Sequence, residues 1–499
     1  MSIAEQVHAP AETFESTDPA TGAVVGVFPV HDAGAVQDAV ARARTAAQTW
    51  ADLGFAGRRQ RLAAFRGSLA RRVHELADLV HRENGKPRAD AILEITLAVD
   101  HLAWAAAHAR RTLGQRRVRA GMLAANHAAY LEYQPLGVVG VIGPWNYPVF
   151  TPMGSIAYAL AAGNAVVFKP SEHTSAVGSW LADAWRDAVP DVPDALQVVT
   201  GYGGTGAALC RAGVGKLAFT GSAPTGRRVM AACAETLTPV LMELGGKDAM
   251  IVDDDADVTA AADAAVWGAM SNAGQTCIGI ERVYATEAVY DRFVAEVGER
   301  VRDLRPGSDD GAAYGPMTMA SQTDVVRRHL DDATATGGRV LTGGTVDGVL
   351  VAPTVLLDVP ESSAAVREET FGPTLTITRV ADAEEALERT NATSYGLAGA
   401  VFSGSRARAM DLARRMRSGM TSVNSVLTFA GVPSLPFGGV GESGFGRIHG
   451  EDGLKEFTRA KAITRQRFPL PVDLMSFSRP PAAADALARV IGLVHGRRR

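Results

Sequence analysis

The chain has 499 residues, 47% of them hydrophobic and 21% charged, which is too long for one comfortable core and ordinary for a soluble globular enzyme. A net charge of −4 gives no electrostatic reason to expect nucleic acid as a partner. Three cysteines make no disulfide framework and fit a reducing, cytoplasmic setting.

In chain order, MSIAEQVHAPAETFES carries neither the basic nor the apolar region of a secretory signal. Residues 32–50 and 58–83 read as amphipathic helices, and a third helical stretch covers 88–112. From Tyr133 to Phe168 no residue is charged, yet Pro135, Pro144, Pro148 and Pro152 forbid a continuous membrane span. A buried strand at 136–142, a helix at 149–162 and a strand at 165–169 form instead a βαβ unit of a parallel sheet. The alternation continues with strands at 195–199, 216–219 and 239–243 and helices at 174–188, 205–212 and 224–236, the pattern of a doubly wound dinucleotide-binding layer. A second α/β domain opens at 250–252, with helices at 257–272 and 288–302 around a strand at 282–286. Residues 337–348 read as a Gly-rich surface loop. Near the end, ADALARVIGLVHGRRR reads as a short amphipathic helix with a basic end, for which docking on the protein's own surface or fraying is at least as expected as membrane contact.

Two turns compete for a phosphate. GYGGTG (201–206) matches G-x-G-x-x-G but lacks an acidic residue about twenty positions on. FTGSAPTG (219–226) also sets backbone N–H groups at a helix N-terminus. Spacing does not choose between them. Cys277 sits in a glycine-bracketed turn, NAGQTCIGI, and no spacing suggests a metal site.

Taken together, GPWNYP (143–148), FKPSE (168–172), FTGSAPTG, MELGGK (242–247), NAGQTCIG (272–279), EETFGP (368–373) and PFGGVGESGFGR (436–447) resemble, in order and spacing, the NAD(P)-dependent aldehyde dehydrogenase superfamily over roughly 15–465. The resemblance implies an α/β fold with a Rossmann-type cofactor domain (1–112 and 135–245), an α/β catalytic domain (246–440) and a small β-hairpin oligomerisation element (113–134 with roughly 441–467), followed by an extension at 468–499. It implies Cys277 as the nucleophile and Asn146 as the oxyanion donor beside the Cys277 backbone N–H. It implies Glu243 as the base that activates water; a carboxylate ending an apolar strand has its pKa raised by desolvation. An ion pair of Glu243 with Lys247 is the competing structural role.

For the cofactor, the resemblance implies Lys169 and Glu172 at the adenosine ribose, where Glu172 favours NAD while leaving NADP possible. Gly221, Ser222 and Gly226 would meet the pyrophosphate, and GYGGTG, with Gly201, would lie towards the adenine. Glu369 would anchor the nicotinamide ribose beside Phe371, and Trp145, Ser171 and Leu244 complete the surroundings. Tyr147, Phe150 and Gly154 are expected in the substrate funnel, Gly154 leaving a wide, largely apolar entrance for an aliphatic or aromatic aldehyde. Gly441, where lysine is common, is a feature shared with class 3-like and semialdehyde-oxidising relatives. Semialdehyde oxidation and CoA-acylating chemistry are the rival activities; Glu243 argues against the second. The expected partners are an aldehyde and further copies of the chain, as a homodimer or homotetramer, with no nucleic acid and no membrane contact.

Overall fold

The computed structural model describes residues 12–496. They divide into two compact units, one comprising residues up to 112 together with 135–458, the other 113–134 with residues from 459 onward.

In the first unit the doubly wound layer is a six-stranded sheet. Its order is Gly444–Phe445, Val240–Glu243, Lys216–Thr220, Val138–Ile142, Ala165–Lys169, Leu196–Val198. Neighbouring strands run parallel except Gly444–Phe445, which lies antiparallel with Gly444 opposite Glu243. The two central strands, Val138–Ile142 and Ala165–Lys169, are buried throughout, as a sheet covered on both faces requires. Chain order reverses at Val138–Ile142, which pairs with both Ala165–Lys169 and Lys216–Thr220, and ligands of such sheets bind beyond the carboxyl ends at this kind of reversal. Asn146, Lys169, Gly201, Gly221 and Glu243 all stand at or just beyond those ends.

A seven-stranded sheet follows, in the order Arg339–Thr342, Thr354–Leu357, Thr374–Val380, Ile280–Thr286, Asp248–Val252, Gly399–Phe402, Ser422–Val423. Only its edge strand Arg339–Thr342 is antiparallel, so the glycine-rich stretch read as a loop contributes a strand. The expected helix at 58–83 is two helices, Gly54–Arg71 and Val73–Asn84, broken at Arg72. The buried Leu62, Phe65, Leu69, Leu76 and Val80 keep helical spacing across the break, so periodicity alone could not reveal it.

The second unit holds a three-stranded sheet in which His127–Pro135 lies between Thr458–Gln466 and Arg116–Val118. The expected hairpin is the antiparallel pair Arg116–Val118 and His127–Pro135. An α-helix covers Ala482–His495.

Candidate active site

An apolar cavity of about 370 Å³ opens beyond the carboxyl end of the six-stranded sheet and reaches Cys277, Glu243, Tyr147 and Phe150. The nucleophile candidate follows the helix Val258–Met270 through a tight turn in which Asn272, Ala273 and Gly274 all have positive φ (52°, 56° and 69°). Left-handed backbone at the two non-glycine residues costs about 1 kcal/mol each, and such strain persists only where surroundings hold it. Here the hold is a closed hydrogen-bond set. Asn272 Nδ2 donates to the Asn146 carbonyl at 3.0 Å, Gln275 Nε2 donates to the Asn272 carbonyl at 2.9 Å, and Gln275 Oε1 accepts from the Thr318 amide at 2.9 Å.

Asn146 is buried, and its side-chain amide donates to the Gln275 carbonyl at 2.9 Å, two residues before the cysteine. That bond uses one of its two N–H groups. Asn146 is not among the residues that line the cavity; its neighbour Tyr147 is, with its hydroxyl 2.9 Å from Thr276 Oγ1.

Glu243 ends its strand 3% exposed, with neither carboxylate oxygen hydrogen-bonded. Burial raises its pKa well above the usual carboxylate range, against the opposing pull of Arg447. The competing pairing with Lys247 does not occur: Lys247 donates to Glu281, which also accepts the amides of Thr370 and Phe371. Burial, with Glu369, Glu243 and Asp248 nearby, raises the Cys277 thiol as well. The sulfur therefore rests protonated, and its surroundings do not lower its pKa as an activated thiol would need.

Gly154 departs from its expected place. It is buried and does not line the cavity; a Cβ there would lie 2.7 Å from His449 Nε2 and 2.9 Å from Ile448. The glycine makes room for a histidine instead of widening an entrance. The cavity is apolar for other reasons, chiefly Leu93, Leu97, Trp267, Val426 and Phe437.

The cofactor candidates gather on one side of the sheet. Lys169 Nζ is buried, donates only to the Pro170 carbonyl at 3.0 Å, and lies 3.9 Å from Glu172. Ser171 is buried and its hydroxyl accepts the His173 amide. Ser222 precedes the helix Ala223–Ala234 without a side-chain cap, leaving first-turn N–H groups open. A Cβ at Gly226 would strike Leu244 at 2.8 Å, and one at Gly245 would lie 2.3 Å from Glu369 Oε2. Glu369 accepts the Gly246 amide at 3.0 Å, and burial raises its pKa to about 8. Trp145 packs edge-on against Phe371, ring centroids 5.5 Å apart. Spare ammonium protons, open helix-end amides and two carboxylates are donors and acceptors suited to the phosphates and ribose hydroxyls of a dinucleotide. In GYGGTG, Gly201 has φ 141° and its missing side chain would meet Thr205, so this glycine serves the turn.

Sequence reasoning missed Lys86 and Glu94. Both side chains are fully buried, 2.5 Å apart. Lys86 also donates to the Asn146 carbonyl at 2.8 Å and stands 3.9 Å over the Tyr147 ring. Glu94 accepts the amides of Val149 and Phe150, capping the helix Phe150–Ala162. The available signal was charge at 86, 90 and 94 along a stretch whose other inward positions, Ala91, Ile95 and Ala98, are apolar.

A profile of the aldehyde dehydrogenase family matches residues 7–463. A 4,4'-diapolycopene aldehyde oxidase of Methylomonas sp is 38% identical over 462 residues, covering 92% of this chain and 87% of that protein. A putative succinate-semialdehyde dehydrogenase [NADP(+)] of Mycobacterium ulcerans is 38% identical over 457 residues, covering 90% and 87%. The crystal structure of PnpE in complex with nicotinamide adenine dinucleotide superposes with a TM-score of 0.87 at 32% identity, covering 92% of this chain and 95% of that one.

Proposed function

The chain belongs to the aldehyde dehydrogenase family, an NAD(P)-dependent oxidoreductase acting on aldehydes, and from that premise we propose that it oxidises hydrophobic aliphatic or aromatic aldehydes to carboxylic acids on Cys277. The observation that carries this reading is the shared cavity: one thiol and one carboxylate with both oxygens unpartnered, in a mostly apolar chamber.

The Cys277 sulfur adds to the carbonyl carbon and forms the C–S bond, and the thiol proton must leave. That proton passes to solvent, and Glu243, a lining carboxylate with neither oxygen hydrogen-bonded, is kept for the later step. The second N–H of the Asn146 amide, with the Cys277 backbone N–H, stabilises the oxyanion; one such donor is typically worth about 3 kcal/mol. NAD or NADP, when bound, supplies the oxidant that removes hydride from the substrate carbon. A thioester then remains on Cys277. Glu243 draws a proton from water, the hydroxide oxygen attacks the thioester, and the acid leaves as the C–S bond breaks and the proton held by Glu243 passes to the departing sulfur.

Lys169, Glu172, Ser222, Gly226 and Glu369 would hold the dinucleotide. Glu172 supports a preference for NAD, because a carboxylate at the adenosine ribose repels a 2′-phosphate. An anionic semialdehyde is the second reading, favoured by the Mycobacterium ulcerans relative. Against it, Lys86 is the sole basic residue lining the cavity among the described residues, and it is already paired with Glu94. CoA-acylating chemistry is disfavoured by the free Glu243. The same reading has the enzyme cytoplasmic and homodimeric or homotetrameric, supported by the exposed edge strand Arg116–Val118.

A kinetic panel of aldehydes with NAD tests the proposal. We expect kcat/KM to rise with apolar chain length, by about fourfold for each buried methylene until the cavity is filled. Preference for succinic semialdehyde over an uncharged aldehyde of equal length would overturn the substrate assignment.

A further inference from the structure

One helix supplies two of the three carboxylates that line the cavity. The helix Arg88–Leu113 faces it with Asp90, Leu93, Glu94 and Leu97, a single stripe at helical spacing, and Lys86 joins them from just before the helix. The Lys86 and Glu94 side chains are fully buried against each other at 2.5 Å, and Lys86 also donates to the Asn146 carbonyl. As a pair they are neutral. Asp90 is half-buried and makes neither a hydrogen bond nor an ion pair with any described residue. Lys86 and Glu94 act on it through space alone, with opposite signs.

Taken together, Lys86, Asp90 and Glu94 leave one uncompensated negative charge on the lining, and Glu243 adds a second once it is deprotonated. Most of the remaining lining is apolar, Leu93, Leu97, Trp267 and Val426 among it. A charge held between low-dielectric walls is screened less than one on an open surface, and such walls focus its field into the cleft. An arriving anion therefore meets repulsion, with no unpaired cation among the described lining residues to offset it. A neutral chain meets apolar wall, and a cationic end meets attraction.

We propose that Asp90 is the specificity-determining charge of this cavity, excluding aldehydes with an anionic end and admitting neutral or cationic ones. The proposal rests on the reading that the cavity receives the aldehyde, and it names the residue that sets the charge class.

The test compares butanal, succinic semialdehyde and trimethylaminobutyraldehyde with NAD at alkaline pH, where Asp90 is ionised. Each kcat/KM is divided by the same enzyme's value for butanal, which cancels any general loss of activity or fold. Asp90→Asn should raise the succinic semialdehyde ratio about tenfold and lower the trimethylammonium ratio by a similar factor. Asp90→Lys should go further in both directions, and Asp90→Glu, which keeps the charge, should keep the parent ratios. High salt should narrow the parent's discrimination. A carboxylate in the first helical turn also suits the helix dipole, but that role alone would alter thermal stability and leave both ratios where they were. Unchanged ratios in Asp90→Asn, or two ratios that move the same way, would overturn the proposal while butanal oxidation by the parent left the reading of the cavity standing. A parent that oxidises none of the three would overturn that reading and the proposal with it.

Discussion

At the scale of single residues, the site is governed by buried groups that lack ordinary partners. Glu243 keeps its proton to higher pH than a solvated carboxylate because burial penalises the charge. In the proposed role of base it works only when deprotonated, so turnover should rise with pH through a range well above the usual carboxylate pKa. Glu243→Gln should give a burst of NADH equal to the enzyme sites and then stall; steady turnover near the parent rate in stopped-flow traces would remove Glu243 from the mechanism. Lys86 acts one step further back, through the Asn146 carbonyl and the Tyr147 ring. Lys86→Met should cost about 3–5 kcal/mol of stability by leaving Glu94 buried and unpaired. Pairing that change with Glu94→Gln should recover part of it, as read by denaturant melts. Cys277, Asn146 and Glu243 were legible in the sequence as candidates because their motifs are local. Lys86 and Glu94 stayed hidden because their partners lie 60 and 55 residues away, and no local pattern records a contact of that range.

At the scale of elements, the cofactor-side sheet was readable strand by strand, since fully buried parallel strands are short apolar runs. The ends of those strands carried the cofactor candidates into one region. The break at Arg72 and the edge strand Arg339–Thr342 escaped notice: the first leaves the apolar period intact, and the second has only Val340 and Leu341 as apolar residues, too short a run between glycine pairs to stand out. Gly154 was misread for a related reason. Position along a buried helix does not say which neighbour fills the space, and here His449 fills it. Gly154→Ala should therefore destabilise the fold by about 1–3 kcal/mol through overpacking while leaving the chain-length preference unchanged. A shifted preference without loss of thermal stability would return Gly154 to the funnel.

At the scale of the whole molecule, opposing sets of buried groups couple stability to pH. Burial raises Glu83 to about 7 and Asp248 and Glu369 to about 8. The unfolded chain releases these protons near pH 4, so it binds fewer protons than the folded one up to about pH 8, and stability falls as pH rises through that window. His101 and His449 are lowered by burial, so their contribution is present above about pH 6.5 and is lost as pH falls below it. Calorimetry should show the melting temperature declining between pH 6.5 and 8, and Asp248→Asn should flatten that decline; a rise over the same interval would contradict the assignment. A last consequence follows from the turn before Cys277. A side chain at Gly274 would land 2.0 Å from the Gly372 carbonyl, so the loop before Cys277 and the loop bearing Glu369 touch backbone to backbone. The two behave as a single casting: neither can be shimmed, lengthened or re-angled alone. Directed evolution towards new aldehydes should accordingly find its latitude at the cavity's outer wall, around Leu93 and Trp267, and run aground at this weld.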